Sequence, residues 1–218
     1  MRKKLIRYVE NQGRNSILEK GKTHYDTVKG NWNADYFGNP NPVTVELACG
    51  RGEYTTGLAA AYPDRNFVGV DVKGDRLWMG SMAAENAGLA NTAFLRAQIH
   101  LLESFFAPQE VAEIWIVFPD PRPRQSDAKR RLTHTRYLTM YRNLLSANGI
   151  VHLKTDSRML FDFTLEMLQT MPVKDLRHTQ NLYASDLLSA HHGIQTHYER
   201  IFTGRGFDIN YLQFKFDG

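Results

Sequence analysis

Cysteine is all but missing from this chain: Cys49 stands alone among 218 residues. A single thiol excludes an internal disulfide and argues against a thiolate metal site. Beside the sharp turn described below, it reads as a small packing residue rather than a nucleophile. Long apolar runs are lacking too, and none approaches the roughly 18–20 residues that a membrane-crossing helix needs. The opening residues, Met1-Arg-Lys-Lys-Leu-Ile6, are basic but carry no apolar signal segment. A cytoplasmic protein without a membrane partner is the expectation. There is no internal repeat and no low-complexity tract. The histidines are scattered, and the adjacent pair His191 and His192 reads as solvent-exposed loop, so no metal is expected.

Hydrophobic residues make up 42% of the chain and charged residues 23%, the balance of an ordinary globular protein. The length suits one α/β domain with a sizeable core. Net charge is +4, a weak pointer to a polyanionic partner. The distribution says more than the total. Arg122, Arg124, Lys129, Arg130 and Arg131 crowd one stretch, and Arg2, Lys3, Lys4 and Arg7 open the chain.

Residues 1–42 show no strong period and are punctuated by Gly13, Gly21, Gly30, Gly38, Pro40 and Pro42. They read as an N-terminal arm that packs its aromatics, Trp32 and Tyr36 among them, on the core or on a partner. From residue 43 to 218 the pattern is that of one domain. Val43, Val45 and Leu47 predict a strand, Gly50 and Gly52 a tight turn, and Tyr54, Leu58 and Ala59 a helix. A second strand follows at 66–71. A helix is predicted over 74–88 with Leu77, Met79, Met82 and Ala83 inward (or Trp78 in place of Met79), then a strand over 92–97 and a helical turn over 99–106. The run Glu113-Ile-Trp-Ile-Val-Phe118 suits a strand buried on both faces of a parallel sheet. A helix over 133–146, ended by Asn148-Gly149, a strand over 150–155 and a helix over 158–170 come next. Two further strands, near 173–177 and 207–216, close the chain. Alternating strands and helices with a terminal strand pair predict an α/β, Rossmann-like, doubly wound sheet, seven-stranded and mostly parallel with an antiparallel edge strand.

Such sheets bind ligands at the carboxyl ends of their strands. Here those ends carry Glu46 to Gly52, Asp71, Gln98, Asp120 and Asp156. Glycines at the first turn and an acid at the tip of the second strand point to a nucleoside-containing cofactor. Asp71 suits the ribose hydroxyls and does not separate a nicotinamide dinucleotide from S-adenosylmethionine. Glu46-x-Ala48-x-Gly50-x-Gly52, an acid ahead of the turn, resembles the first motif of class I S-adenosylmethionine methyltransferases and so tilts the reading toward that cofactor. In Phe118-Pro-Asp-Pro-Arg-Pro-Arg124 two prolines flank Asp120 and deny the backbone a regular partner. Basic residues follow at once. An acid beside a cationic loop suits chemistry on a nucleic-acid base, with the loop on phosphates and the acid toward the base.

Phe118-Pro-Asp-Pro121, Lys129-Arg-Arg-Leu132, His152-Leu-Lys-Thr-Asp156 and Thr196-His-Tyr-Glu199 together resemble the bacterial tRNA (guanine-N7)-methyltransferases, which are class I S-adenosylmethionine-dependent enzymes. The resemblance covers roughly residues 43–216. It implies cofactor binding by Glu46, Gly50, Gly52, Asp71, Gln98 and Asp120, with Asp120 also catalytic. It implies substrate binding by Arg124, Asp156, Thr196, His197, Tyr198 and Glu199. It further implies an RNA-touching loop of Ser126, Asp127, Ala128, Lys129, Arg130 and Arg131, with tRNA as partner and its variable-loop guanine as substrate. Three positions depart from the family pattern. Arg122 stands where many members have tryptophan, Arg124 where they have lysine, and Gln98 where they place an acid near the adenine. Lys154 reads either as a strand-end side chain or as an RNA contact, and Trp78 and Trp115 as core or pocket walls. Two other functions stay open on the residues alone: an amino-group methyltransferase, from the likeness of Phe118-Pro-Asp-Pro to an Asp/Asn-Pro-Pro-aromatic motif, and a non-catalytic tRNA-binding protein. Monomer and homodimer are both compatible with the sequence.

Overall fold

The computed structural model describes residues 3–217. Arg2 of the N-terminal basic cluster lies outside the described residues. The helices are α1 (Lys3–Gln12), α2 (Glu53–Ala61), α3 (Gly74–Asn86), α4 (Thr135–Leu144), α5 (Arg158–Leu168) and α6 (His197–Gly204). The strands are β1 (Ile17–Leu18), β2 (Val43–Leu47), β3 (Asn66–Asp71), β4 (Thr92–Arg96), β5 (Val111–Val117), β6 (Leu145–Thr155), β7 (Val173–Thr179) and β8 (Asn210–Phe216). They form one sheet of eight strands in the order β1-β4-β3-β2-β5-β6-β8-β7. The pairs from β1 to β6 are parallel, while β8 runs antiparallel between β6 and β7. The antiparallel strand therefore sits one place in from the edge.

The doubly wound class follows the sequence pattern, and the eighth strand comes from the region read as an arm. Ile17 and Leu18 pair with Phe94 and Leu95 and are almost fully buried. Trp32 joins the core as well: its indole donates to the Phe105 carbonyl at 2.8 Å and stacks on Phe106 at 5.1 Å. It lies in one turn of π-helix, Trp32–Phe37, which Gly38 ends in the left-handed conformation. Burying such a ring stabilises the fold by about 1.5–3 kcal/mol. Through Ile17, Leu18 and Trp32 this segment packs on the core.

Three local expectations change. The buried side of α3 is Leu77, Gly80, Ser81 and Ala84, not Met79, Met82 and Ala83. Small residues face inward because α3 lies against the first turn: a Cβ on Gly80 would meet Phe94 at 2.5 Å and the Arg51 carbonyl at 2.9 Å. Trp78 is neither core nor pocket wall; its indole donates to Glu10 at 2.6 Å, and Arg7 lies over its ring. Asn148-Gly149 does not end a helix. The chain enters β6 directly at Leu145, and residues 146–149 form a bulge between the Val111–Leu145 and Glu113–Ile150 pairings.

The β5–β6–β8 face also buries a polar cluster. His152 lies flat on Trp115 with centroids 3.9 Å apart, its Nε2 2.8 Å from Glu113 and its Nδ1 2.7 Å from the Tyr211 hydroxyl. Burial alone would raise the Glu113 carboxyl, but His152 and Arg65 outweigh it and hold it at about 2.

Candidate active site

The sheet reverses its winding between β2 and β5, and there the carboxyl ends diverge around a cavity of about 550 Å³. It is lined by Glu46, Gly50 and Asp71, by Val117 to Arg122, and by Asp156, Thr196, His197, Tyr198 and Phe202. The turn after β2 is wound tightly. Ala48, Gly50 and Gly52 all have positive φ, at 55°, 57° and 67°. Gly52 is also obligatory for space, since a Cβ there would lie 2.5 Å from Phe94. Gly50 differs: its α-carbon borders open cavity, where an added Cβ would meet only Arg76, at 3.9 Å. Asp71 ties two turns together by accepting from Gly50 N at 3.0 Å and Lys73 N at 2.8 Å. Glu46 accepts from Thr55 N at 2.8 Å and from the Thr55 hydroxyl. Burial drives its carboxyl up to about 8, against the Thr55 bonds that pull it down. Cys49 is buried, and burial raises its thiol well above the ordinary value, which agrees with a packing role.

Asp120 sits at the cavity mouth. Its Oδ1 accepts from Arg122 N at 3.1 Å, and its Oδ2 lies 3.0 Å from Arg122 Nε. The residue standing in the family's tryptophan position is therefore an ion partner of this acid. Asp156, at the end of β6, lines the same cavity half-buried, and burial raises its carboxyl. Gln98 is exposed and lies outside the cavity lining. Arg124 is exposed and opens a 3-10 helix, Gln125–Arg130. Within that helix Ser126, Lys129 and Arg130 are exposed, Asp127 and Ala128 half-buried, and Asp127 pairs with Arg130 at 3.1 Å. Arg131 departs from this run: it is 4% exposed and turned inward.

Glu199 requires a correction. It does not face the cavity; it is fully buried, 2.8 Å from Lys154 Nζ. Its Oε1 also accepts from Tyr183 at 3.0 Å and lies 3.1 Å from His191 Nε2. Burial would raise this carboxyl, but His191 and Lys154 prevail and lower it. Lys154 is the buried half of that pair rather than an RNA contact. Thr196 and Glu199 also cap α6 reciprocally, Glu199 N to Thr196 Oγ1 at 3.2 Å and Thr196 N to Glu199 Oε2 at 3.4 Å. Their spacing, Thr-x-x-Glu ahead of an apolar turn, is the signal that could have marked a helix start. His191 is buried and His192 half-buried, with Nδ1 2.7 Å from the Tyr62 hydroxyl; neither is an exposed loop residue. One acid escaped the sequence reading: Glu53, the first residue of α2, accepts from His197 N at 2.9 Å and joins α6 to the glycine turn.

A parallel sheet with its cavity at the switch point, a glycine turn and acids at the strand tips is the fold of the class I methyltransferases. Solved structures agree at the level of fold. A 16S rRNA methyltransferase, KamB, superposes with TM-score 0.65 at 14% identity, covering 92% of this chain and 96% of that one. An antibiotic-related methyltransferase gives TM-score 0.57 at 15% identity, covering 83% and 90%. The family described as "Putative methyltransferase" matches residues 40–211. The tRNA (guanine-N(7)-)-methyltransferase of Cytophaga hutchinsonii is 51% identical over 217 residues, covering 99% of this chain and 98% of that protein. Its namesakes in Bacteroides thetaiotaomicron and Brevibacillus brevis are 45% and 37% identical, covering 86% and 89% of this chain and 74% and 91% of theirs. The chain belongs to this methyltransferase family.

Proposed function

We propose that the protein transfers a methyl group from S-adenosylmethionine to N7 of a guanine in the variable loop of tRNA, in the cytoplasm. The observation that carries this reading is Asp120, held at the mouth of the switch-point cavity beside an exposed cationic helix. Near-full-length identity of 51% to a protein of that name supports it.

The cavity suits the methyl donor. Its volume lies within the ~300–1,000 Å³ of small-ligand sites, Gly50 leaves the approach open, and each Asp71 oxygen keeps a lone pair free for ribose hydroxyls. Bound there, S-adenosylmethionine supplies an electrophilic methyl group on a sulfonium. Glu46 would hold the cationic amino-acid end of the donor, whose charge would favour the ionised carboxyl. Val117, Phe118 and Pro119 supply apolar lining. Guanine N7 has a free lone pair and needs no base, so the work of the chain is alignment. As the guanine gains positive charge, the Asp120 carboxylate stabilises the transition state more than the ground state. Asp156 accepts from the guanine N1–H edge. Lys129 and Arg130 contact phosphate, and Tyr198, exposed at the rim, offers a stacking face.

The test is N7-methylguanosine formation in bulk tRNA, read by mass spectrometry of nucleosides. Wild type forms it, and Asp120→Ala forms it roughly 10²–10³-fold more slowly. Methylation at an exocyclic amine instead would overturn the assignment of N7. An unchanged rate in the variant would remove Asp120 from the reaction.

A further inference from the structure

Lys129, Arg130 and Arg131 follow one another in sequence, and as a run they read as a grip on phosphate. The fold separates them. Lys129 and Arg130 are exposed, whereas the Arg131 guanidinium is buried. Its Nε and Nη2 both donate to the Arg122 carbonyl, at 3.2 and 3.1 Å. It also lies over the Phe163 ring of α5, 4.4 Å from the centroid. Among the described residues no carboxylate pairs with it. A guanidinium withdrawn from water without an anion is costly. At 4% exposure, a side chain committed to that carbonyl presents little surface to an RNA phosphate.

The carbonyl belongs to a strained peptide. Arg122 has φ 49° and Phe118 φ 47°, two non-glycine residues in the left-handed region on either side of Pro119-Asp120-Pro121. Such a backbone persists only where its surroundings over-determine it. The first end is fixed to β6, Phe118 N donating to the Lys154 carbonyl at 2.8 Å. The prolines contribute no donors. The second end is fixed by the Arg131 fork, and from that same residue Arg122 N reaches Asp120 Oδ1 at 3.1 Å. The fork thus sets the residue whose N–H, on the preceding peptide, meets the carboxylate. Lysine would keep the charge but not the two-point geometry.

We infer that Arg131 is a positioning residue for methyl transfer: it holds the Arg122 peptide so that Asp120 stays at the cavity mouth, and it is not a phosphate contact. This rests on the role proposed for Asp120. Wild type, Arg131→Lys, Lys129→Gln, Asp120→Ala and the Asp120→Ala/Arg131→Lys double variant are compared in kcat, in KM for S-adenosylmethionine, and in tRNA binding against salt. Arg131→Lys loses roughly 10- to 100-fold in kcat, the scale of a ~1 Å misplacement. Its tRNA affinity stays within about twofold, and its salt slope is that of wild type. Lys129→Gln, by contrast, weakens tRNA binding and flattens the slope by about one unit. The double variant is no slower than Asp120→Ala alone. A flattened slope with kcat retained in Arg131→Lys, or additive losses in the double variant, would overturn the positioning role while leaving Asp120 in place. Full activity in Asp120→Ala would overturn both. A misfolded Arg131→Lys is recognised by lost S-adenosylmethionine binding, and Arg131→Gln, which keeps a donor at similar reach, then takes its place with the same criteria.

Discussion

Two acid–cation pairs stand at the same edge of the sheet, and their distances nearly match. Lys154 and Glu199 are 2.8 Å apart with both side chains 0% exposed; Arg122 and Asp120 are 3.0 Å apart and 42% and 63% exposed. The surroundings differ completely. Glu199 is hemmed in by Lys154, Tyr183, His191 and the Thr196 amide, and so pins α6 to β6. Asp120 is held by a near neighbour on its own loop and joins nothing distant. A carboxylate surrounded by donors has no direction left for a substrate. One gripped by a surface guanidinium can exchange that partner for an incoming base. At this edge the chemically available acid is the loosely held one, and the tightly held one is architecture.

Breaking the buried pair one partner at a time is the harshest way to test that contrast. Lys154→Met or Glu199→Ala leaves a buried charge alone and lowers unfolding stability by about 3–5 kcal/mol, measured by urea denaturation. Lys154→Met/Glu199→Gln restores part of it, because neither buried charge remains. An intermediate effect comes from acid. The Glu199 carboxyl titrates below its ordinary value of 4.5, so the unfolded chain takes up the proton first. The stability from this group is complete above that ordinary value and is lost as pH falls through the lowered one. Stability of wild type and Glu199→Gln therefore converges as pH is lowered from 6 to 3. The smallest effect is at the exposed pair: Arg122→Ala changes stability by less than ~1 kcal/mol, with the same denaturation as readout. A larger loss there would erase the distinction between the pairs.

Much of this was legible in the chain. The apolar runs at 43–47 and 113–117 lie in buried strands because parallel strands are covered on both faces, so composition identifies them, while Phe118 has already left the strand. The positions of the acids at the strand tips are legible because each directly follows or ends an apolar strand, whereas the bonds by which Asp71 and Glu46 brace the turns are visible only in the fold. The tertiary partner of a charge was not legible. Nothing local separates Arg131 from Arg130, and only the fold shows that one is buried against a carbonyl while the other pairs with Asp127 at the surface. The family motif Thr196-His-Tyr-Glu199 implies a substrate contact at Glu199, but the same spacing is that of a helix cap, and the burial of Glu199 is visible only in the fold. Ile17–Leu18 escaped because two residues carry no period.

That short strand bears on how the molecule is made. Ile17 leaves the ribosome long before Phe94, its partner, so the amino-terminal segment waits while the central strands are synthesised. Docked on β4, it is held by Lys22 on the Ile17 carbonyl and by Glu19 on Arg96. Until it docks, β4 presents an open ladder on which a second chain can pair. The short strand thus guards this side of the sheet, and a truncation that removes Ile17 and Leu18 is felt in soluble yield before it is felt in catalysis.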